Sequence, residues 1–333
     1  TAASGYTSQV RNAGHIRNRG YEIQLGAVPI QTSKGFRWNL DLNYGANSSK
    51  VVKLDDEGLI TSYRLYSSGI QILASVGEAY GTLFGTSYVR DANGSIVVDA
   101  NGLPKISTTN KTLGKFTPDW TGGISNTFSY RSLSLSFLID ASVGGSIFSN
   151  TNKTGKYTGV LANTLSGRDA EHGGLWYYTA AMGNNVRLPE SPSYSVSSDG
   201  LYYAQVNGQS TRVYQDGIMV EGVTESGSKN EEVVSAEKYY HRIYSIAEAN
   251  VYDASYVKLR EVALSYRLPR LWTQKLHLQE ASVTLTGRNL WTIYKSVPNI
   301  DPESALTTGN AQGVEAYSLP TTRSFGVNLS VKF

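Results

Sequence analysis

The chain has 333 residues, of which 17% are charged, and its 30 basic and 27 acidic side chains leave a formal net charge of +3. That near balance, with no local basic cluster, excludes a nucleic-acid groove and a basic membrane-surface patch. The absence of cysteine excludes disulfide scaffolds, iron–sulfur centres and cysteine nucleophiles, and no stretch approaches the roughly 18 consecutive apolar residues of a membrane-spanning helix.

Apolar and polar residues alternate in seven segments, which is the period of a β-strand. In the clearest segment Phe36, Trp38, Leu40, Leu42 and Tyr44 share one face. Aromatic residues bracket the leucines there, as they do in strands that cross a bilayer. The alternation predicts strands near 19–28, 36–46, 119–130, 133–144, 255–268, 281–292 and 322–333.

The connections between these predicted strands alternate between short and long. Short connections span 29–35, 131–132 and 269–280, whereas long ones span 49–117, 145–254 and 293–321. Outer-membrane β-barrels have short periplasmic turns and long extracellular loops in this alternation. A secreted β-sandwich has no reason to place its long loops at one end. The pattern therefore predicts an all-β fold, an antiparallel transmembrane β-barrel, with the three long loops extracellular.

The number of predicted strands is odd, whereas bacterial single-chain barrels have an even number and both ends in the periplasm. If Phe333 ends in the periplasm, counting back places residues 1–15 outside the cell. We therefore expect the C-terminal part of a larger barrel. The alternative is an undetected strand in a long loop, for example Leu59–Leu73, which would make the chain a small complete barrel with a structural or adhesive role.

The last strand alternates up to the final residue. Its apolar side chains resemble the carboxy-terminal signal that barrel-assembly machinery reads, and they are Phe325, Val327, Leu329, Val331 and Phe333. The alternative is that these residues form only an amphipathic last strand, and both interpretations predict a strand.

Six motifs resemble the SusC-like (SusC/RagA) family of TonB-dependent outer-membrane transporters, and they run from end to end of the chain. They are RNAGHIRNRGYE from Arg11, GEAYGTLFG from Gly77, YDASYVKLREVALSYRLP from Tyr252, GRNLW from Gly287, VPNIDPES from Val297 and LPTTRSFGVNLSVKF from Leu319. The resemblance implies a barrel of about 22 strands closed by an N-terminal plug. That plug and the first part of the barrel are expected to lie outside this chain.

The same resemblance implies what the protein does and what it contacts. Members of the family import oligosaccharides or peptides across the outer membrane of Bacteroidetes. A SusD-like lipoprotein captures the substrate, and the TonB complex pulls on the plug. The implied partners are therefore the lipoprotein, the TonB complex, the barrel-assembly machinery and outer-membrane lipid.

Motifs for catalysis and metal binding are missing from the sequence. It has no G-x-S-x-G, H-E-x-x-H, P-loop or helix-opening G-x-G-x-x-G, and its four histidines lack metal-like spacing. We therefore predict neither an enzyme nor a cofactor, and an outer-membrane hydrolase is the weakest hypothesis. The repeated DANG motifs at Asp91–Gly94 and Asp99–Gly102 lack the EF-hand ligand pattern and predict hairpin turns instead.

Two groups of residues are candidates for functional contacts. Inward-facing charges are predicted to line the lumen, where they pair with each other or with the plug, or form a transport path; they are Glu22, Asp41, Asp140, Glu261, Arg267 and Arg288. Aromatic residues of the longest loop are predicted to contact a glycan or the lipoprotein lid; they are Trp176, Tyr177, Tyr178, Tyr202 and Tyr203. Packing of that loop on itself is the alternative for the aromatic group.

Overall fold

A computed structural model describes Gly5 and residues 14–333, and it contains twenty strands and three α-helices over those residues. The first eight strands are β1 (His15–Gln31), β2 (Phe36–Lys53), β3 (Ser62–Ser68), β4 (Ile70–Ser75), β5 (Thr82–Gly85), β6 (Lys111–Lys115), β7 (Trp120–Tyr130) and β8 (Leu133–Val143). The next elements are β9 (Ser146–Ser149), α1 (Asn150–Thr158), β10 (Leu175–Thr179), β11 (Asn185–Arg187), β12 (Tyr194–Val196), β13 (Tyr202–Val206), β14 (Gln209–Ile218), β15 (Val234–Ser235), α2 (Ala236–Tyr244) and β16 (Val251–Asp253). The last are β17 (Tyr256–Arg267), α3 (Arg270–Lys275), β18 (Glu280–Lys295), β19 (Val314–Glu315) and β20 (Ser324–Lys332). Three short 3₁₀ helices span Ala162–Thr164, Ala170–His172 and Ala247–Asn250.

The largest sheet has seven antiparallel strands in the order β1, β2, β7, β8, β17, β18, β20. These strands overlap the seven segments in which the sequence alternates. Each strand pairs with the next one of this group along the chain, as in a meander. Among the described residues β1 and β20 each pair on one side, so these strands form an open sheet and do not close into a small barrel. The predicted placement of residues 1–15 lies largely outside the described residues, as does the start of the motif at Arg11.

One face of this sheet carries exposed apolar side chains. Leu25 is 58% exposed, Leu285 50% and Leu329 65%, although each is a large aliphatic residue in the middle of a strand. Such a continuous apolar surface is stable only against lipid or another apolar partner. Within the described residues, no helix is both long enough and apolar enough to span a membrane.

The connections differ in length as the sequence predicts, but the long ones are not simple loops. The short hairpin between β7 and β8 turns at Arg131, whose φ is 54°, and α3 occupies much of the connection between β17 and β18. The long connections all leave the opposite end of the sheet, at residues 54–119, 144–255 and 296–323. We call these three segments together the cap.

The cap has a hydrophobic core to which all three segments contribute. Ile72 and Leu83 come from the first segment, Phe148 and Ala247 from the second, and Val314 from the third. Strand β9 joins the second segment to the third directly, because it pairs parallel with β19; its antiparallel pairing with β16 lies within the second segment. The segment around Leu59–Leu73 contains β3 and β4, and these belong to a separate four-stranded sheet with β5 and β6. The long connections therefore pack into one body.

The two DANG motifs form turns, as predicted. The Asp91 carboxylate accepts a hydrogen bond from the backbone N–H of Ser95 at 2.8 Å, and Asp99 accepts one from Leu103 at 3.1 Å. The glycines that end the motifs have φ values of 86° and 77°, which side chains with a Cβ rarely adopt. The turn interpretation is confirmed.

Candidate functional site

The charges predicted to line the lumen are spread over five strands of the large sheet. Arg288 Nε donates to Glu261 Oε2 at 2.8 Å across β17 and β18, and Arg267 Nε donates to Glu280 at 2.9 Å. Glu22 lies opposite Gly45 in the register of β1 and β2, and Asp41 lies opposite Gly26. The structure therefore does not gather the six predicted residues into one site. Asp140 alone among them joins a larger network, at the cap end of the sheet.

That network connects β8 and β17 to the third cap segment. Lys258 Nζ donates to Asp301 Oδ1 at 2.6 Å and to Glu303 Oε2 at 2.5 Å. Arg260 donates from Nη1 to Glu303 Oε2 at 2.7 Å and from Nε to Asp140 Oδ2 at 2.8 Å. These are charge-assisted hydrogen bonds, the strongest class of hydrogen bond in proteins. They hold the VPNIDPES segment against the strand that carries the YDASYVKLRE motif.

Burial makes the carboxylates of this network depend on their partners. The side chain of Lys258 is 3% exposed and that of Asp301 is 8% exposed. Burial alone would raise the pKa of Asp301, but hydrogen bonds from Lys258 and Thr321 lower it to about 2. The pKa of Glu303 is likewise lowered, because hydrogen bonds from Arg260 and Lys258 outweigh its burial. The lowered pKa values favour the ionised form of both carboxylates, and their hydrogen bonds join the third segment to β17 and, through Arg260, to β8.

Strict alternation gives the wrong face of the strand for one residue of this network, Arg260. Strict alternation places Arg260 on the apolar face with Val262 and Leu264. A β-bulge between Leu259 and Glu261 inserts one extra residue into β17, so Arg260 has no direct partner in the ladder with β8. Its side chain can then reach Asp140 on the polar face.

A second buried carboxylate joins the third cap segment to the second. Glu315 is fully buried, and its carboxylate accepts hydrogen bonds from the Ser149 and Thr151 hydroxyls, both at 2.6 Å. It also accepts from the backbone N–H of Thr151 and of Ser318, at 3.3 and 3.1 Å. Ser149 is the N-cap of α1, so the carboxylate lies at the helix N-terminus, where negative charge is stabilised.

The predicted aromatic group divides into buried and half-buried residues. Trp176 is 6% exposed, packs in a core with Ala204 and Val213, and stacks on Tyr194 with 5.1 Å between ring centroids. Tyr177 is 4% exposed and donates to Asp216 Oδ1 at 3.1 Å. Burial raises the pKa of both the Tyr177 hydroxyl and the Asp216 carboxyl.

The other three aromatic residues of this group are half-buried, and they are Tyr178, Tyr202 and Tyr203. The burial of Trp176 and Tyr177 corresponds to packing of the loop on itself. The three half-buried tyrosines still present surface that a ligand or a lid can contact. Over the described residues, no group of three or more histidine, aspartate or glutamate side chains is arranged to hold a metal ion.

Comparison with known proteins agrees with this geometry. No protein-family model matches the chain. TonB-dependent receptor P3 of Formosa agariphila is 26% identical over 359 residues, which cover 99% of this chain and 30% of that receptor. TonB-dependent receptor P26 of the same bacterium is 25% identical over 358 residues, again 99% of this chain and 30% of the receptor.

The chain is related to the TonB-dependent receptors. It spans 30% of the length of these two curated relatives. A solved structure of the RagAB peptide transporter superimposes on the whole chain with a TM-score of 0.57 at 20% identity, over 31% of the RagAB chain. The RagAB peptide importer in its closed-closed state gives a TM-score of 0.56 at 19% identity. The predicted resemblance to the SusC-like family is confirmed, and so is the predicted fold, the barrel portion of such a transporter.

Proposed function

We propose that the full-length protein is an importer in the outer membrane of a Gram-negative, Bacteroidetes-like bacterium. This chain contributes part of its barrel wall and part of its extracellular face. A SusD-like lipoprotein captures oligosaccharides or peptides over the cap, and the TonB complex supplies energy through a plug. Barrel-assembly machinery inserts the wall, whose apolar face contacts outer-membrane lipid.

One observation carries this proposal. All three long connections leave the same end of an antiparallel sheet and share one core, while the other end has only short connections. In outer-membrane barrels the long connections face outward. A continuous, packed cap offers a surface on which a lid can close. Independent flexible loops would lose conformational entropy each time a lid bound to them.

The substrate class is the finer part of the proposal. RagAB is a peptide importer, and the likeness of this chain to it supports a peptide substrate. The half-buried tyrosines of the cap suit either class, since aromatic rings stack on sugar faces and also anchor peptides. The alternative hypothesis is a small complete barrel with a structural or adhesive role; among the described residues β1 and β20 do not pair, which does not support it.

The test is uptake by the source bacterium. Wild-type and gene-deleted cells receive fluorescent pools of oligosaccharides and of peptides, with and without a protonophore that dissipates the energy used by TonB. We expect the deletion and the protonophore to abolish uptake of one pool, and a tagged protein to copurify with a surface lipoprotein. Equal uptake of both pools by wild-type and deleted cells would contradict the importer.

A further inference from the structure

A cleft of about 930 Å³ lies inside the cap, between its first and second segments. Its walls come from the first DANG turn, from α1 and α2 and from residues 218–223. We infer that this cleft binds a carboxylate group of an oligomeric substrate, with Lys156 as the group that receives the anion. The inference rests on the proposed function, because it names the chemistry of the substrate that the importer takes.

Lys156 is a buried cation whose partners are all neutral. The residue is 9% exposed, and its ammonium donates to Ala249 O at 2.8 Å and to Asn250 Oδ1 at 3.3 Å. It also lies 5.3 Å from the centroid of the Tyr252 ring. Among the described residues, no carboxylate forms an ion pair with it, and burial lowers its pKa to about 8. Burying an ammonium without a counter-charge costs free energy. An anion that enters the cleft would supply that counter-charge and be attracted by the unpaired ammonium.

The other charges that line the cleft are already matched or exposed. Arg90 Nη2 pairs with Glu248 Oε1 at 2.8 Å, and Arg90 Nη1 donates to Gly94 O at 3.0 Å. Lys229 and Glu221 are exposed and opposite in sign. Among the described residues that line the cleft, Lys156 is therefore the buried cation whose charge a ligand would balance.

The form of the cleft favours an oligomer that carries a carboxylate. Its volume falls within the range of small-molecule sites, roughly 300–1,000 Å³, which holds several sugar or peptide units. Tyr239 and Tyr240 line it, and the Tyr240 hydroxyl donates to Asn163 O and Ser166 O at 3.2 and 3.0 Å. Those bonds fix one wall to the other. A single ammonium is a point charge that suits one carboxylate group of a ligand, whereas phosphate groups are recognised by several donors or by a guanidinium fork.

A uronic acid unit and a peptide carboxylate share this chemistry, and binding experiments distinguish them. The full-length protein in detergent at pH 7 is titrated calorimetrically with tetragalacturonic acid and with N-acetyl-tetra-alanine. Each acid has a neutral counterpart, galactotetraose and N-acetyl-tetra-alanine amide. We expect one acid to bind about tenfold more tightly than its neutral counterpart.

Substitution then assigns that preference to one residue. Lys156→Met keeps the aliphatic stem and removes the charge, and we expect it to abolish the tenfold preference for the acid. Lys153→Met is the matched control, since Lys153 lies on the same helix, packs 4.2 Å from the Tyr244 ring and does not line the cleft. We expect Lys153→Met to leave both affinities within about twofold, because a change of that size is below the worth of one charged hydrogen bond.

Three results would overturn the inference: equal binding of both acids and their neutral counterparts by the wild-type protein, an unchanged preference in Lys156→Met, or the same loss in Lys153→Met. The first comparison needs no variant, so the inference stays testable if Lys156→Met does not fold. Uptake assays separate the two proposals. Equal import of the acids and their neutral counterparts would contradict the carboxylate site but not the importer. Binding of an acid without its import would contradict the importer but not the carboxylate site.

Discussion

Ser149 and Glu315 form a fully buried hydrogen bond, with 2.6 Å between Ser149 Oγ and Glu315 Oε2, although 166 positions separate them in the chain. The same Ser149 hydroxyl accepts from the backbone N–H of Asn152 at 3.0 Å and so caps α1. One carboxylate thus fixes the start of a helix in the second cap segment to a strand in the third. The cap is held together by such contacts as well as by its shared core.

Replacing Glu315 should loosen this junction. Glu315→Ala leaves two hydroxyls and two backbone N–H groups without their acceptor, and we expect the local opening free energy of 149–158 to fall by about 2 kcal/mol or more. Glu315→Gln should cost less, because its amide keeps one acceptor oxygen. Hydrogen–deuterium exchange of that segment measures both effects. The exposed Glu231 provides the control, since Glu231→Ala should leave the exchange unchanged; similar protection in all three variants would show that Glu315 does not hold the junction.

Replacing Lys258 should lower local stability more than replacing a surface lysine that also forms an ion pair. Lys258→Met removes this cation from the buried carboxylate of Asp301 and from the partly exposed carboxylate of Glu303, and we expect the opening free energy of 297–305 to fall by about 3 kcal/mol. Lys115 pairs with Asp119 at 2.7 Å, but the two side chains are 34% and 61% exposed. Lys115→Met should therefore cost about 1 kcal/mol at most in its own segment. Equal losses in the two variants, measured by hydrogen exchange, would contradict the network.

Acid should release the third cap segment only at very low pH. The folded pKa of Asp301 is lowered to about 2, below its unfolded value of about 3.9. Its stabilising contribution is therefore complete above the unfolded pKa and is lost as pH falls through about 2. Pepsin should cleave 296–323 near pH 2 but not near pH 4, while Asp301→Asn should be cleaved at both.

Leu59 serves as an internal reference for that digestion. It is 81% exposed in the first cap segment and should be cut at either pH. Cleavage of 296–323 in the wild-type protein near pH 4, at the rate seen around Leu59, would show that Asp301 does not keep the segment closed.

The large sheet could be predicted from the sequence because one of its faces is predominantly apolar. A strand there must alternate with period two, and a shift of one residue would turn every side chain to the wrong face. Alternation alone does not give the position of Arg260, because the bulge breaks that period there. A bulge leaves no signal in the alternation of apolar and polar residues.

Apart from the two DANG turns, the cap could not be predicted, for two physical reasons. Most of its strands are short, such as the two residues of β19, and a run of that length has no measurable period. Helix α1 is polar throughout, so it has no apolar stripe; it forms because Ser149 caps its start, Gly159 ends it with φ 70° and neighbouring segments bury Lys156. These contacts join distant segments and depend on the finished fold.

Substitution can distinguish the two interpretations of the aromatic residues in the second cap segment, which are contact with a ligand or lid and packing of the loop on itself. Trp176 is buried in the core of the β10–β14 sheet, so Trp176→Ala should cost about 3–5 kcal/mol of local stability and remove exchange protection from 175–218. Trp176→Phe should retain most of that protection. Tyr203 is half-buried, and Tyr203→Ala should leave the exchange pattern of the same segment nearly unchanged. If Tyr203→Ala weakens substrate binding while protection persists, the tyrosine contacts ligand; if it removes protection as Trp176→Ala does, the loop uses both residues to pack on itself.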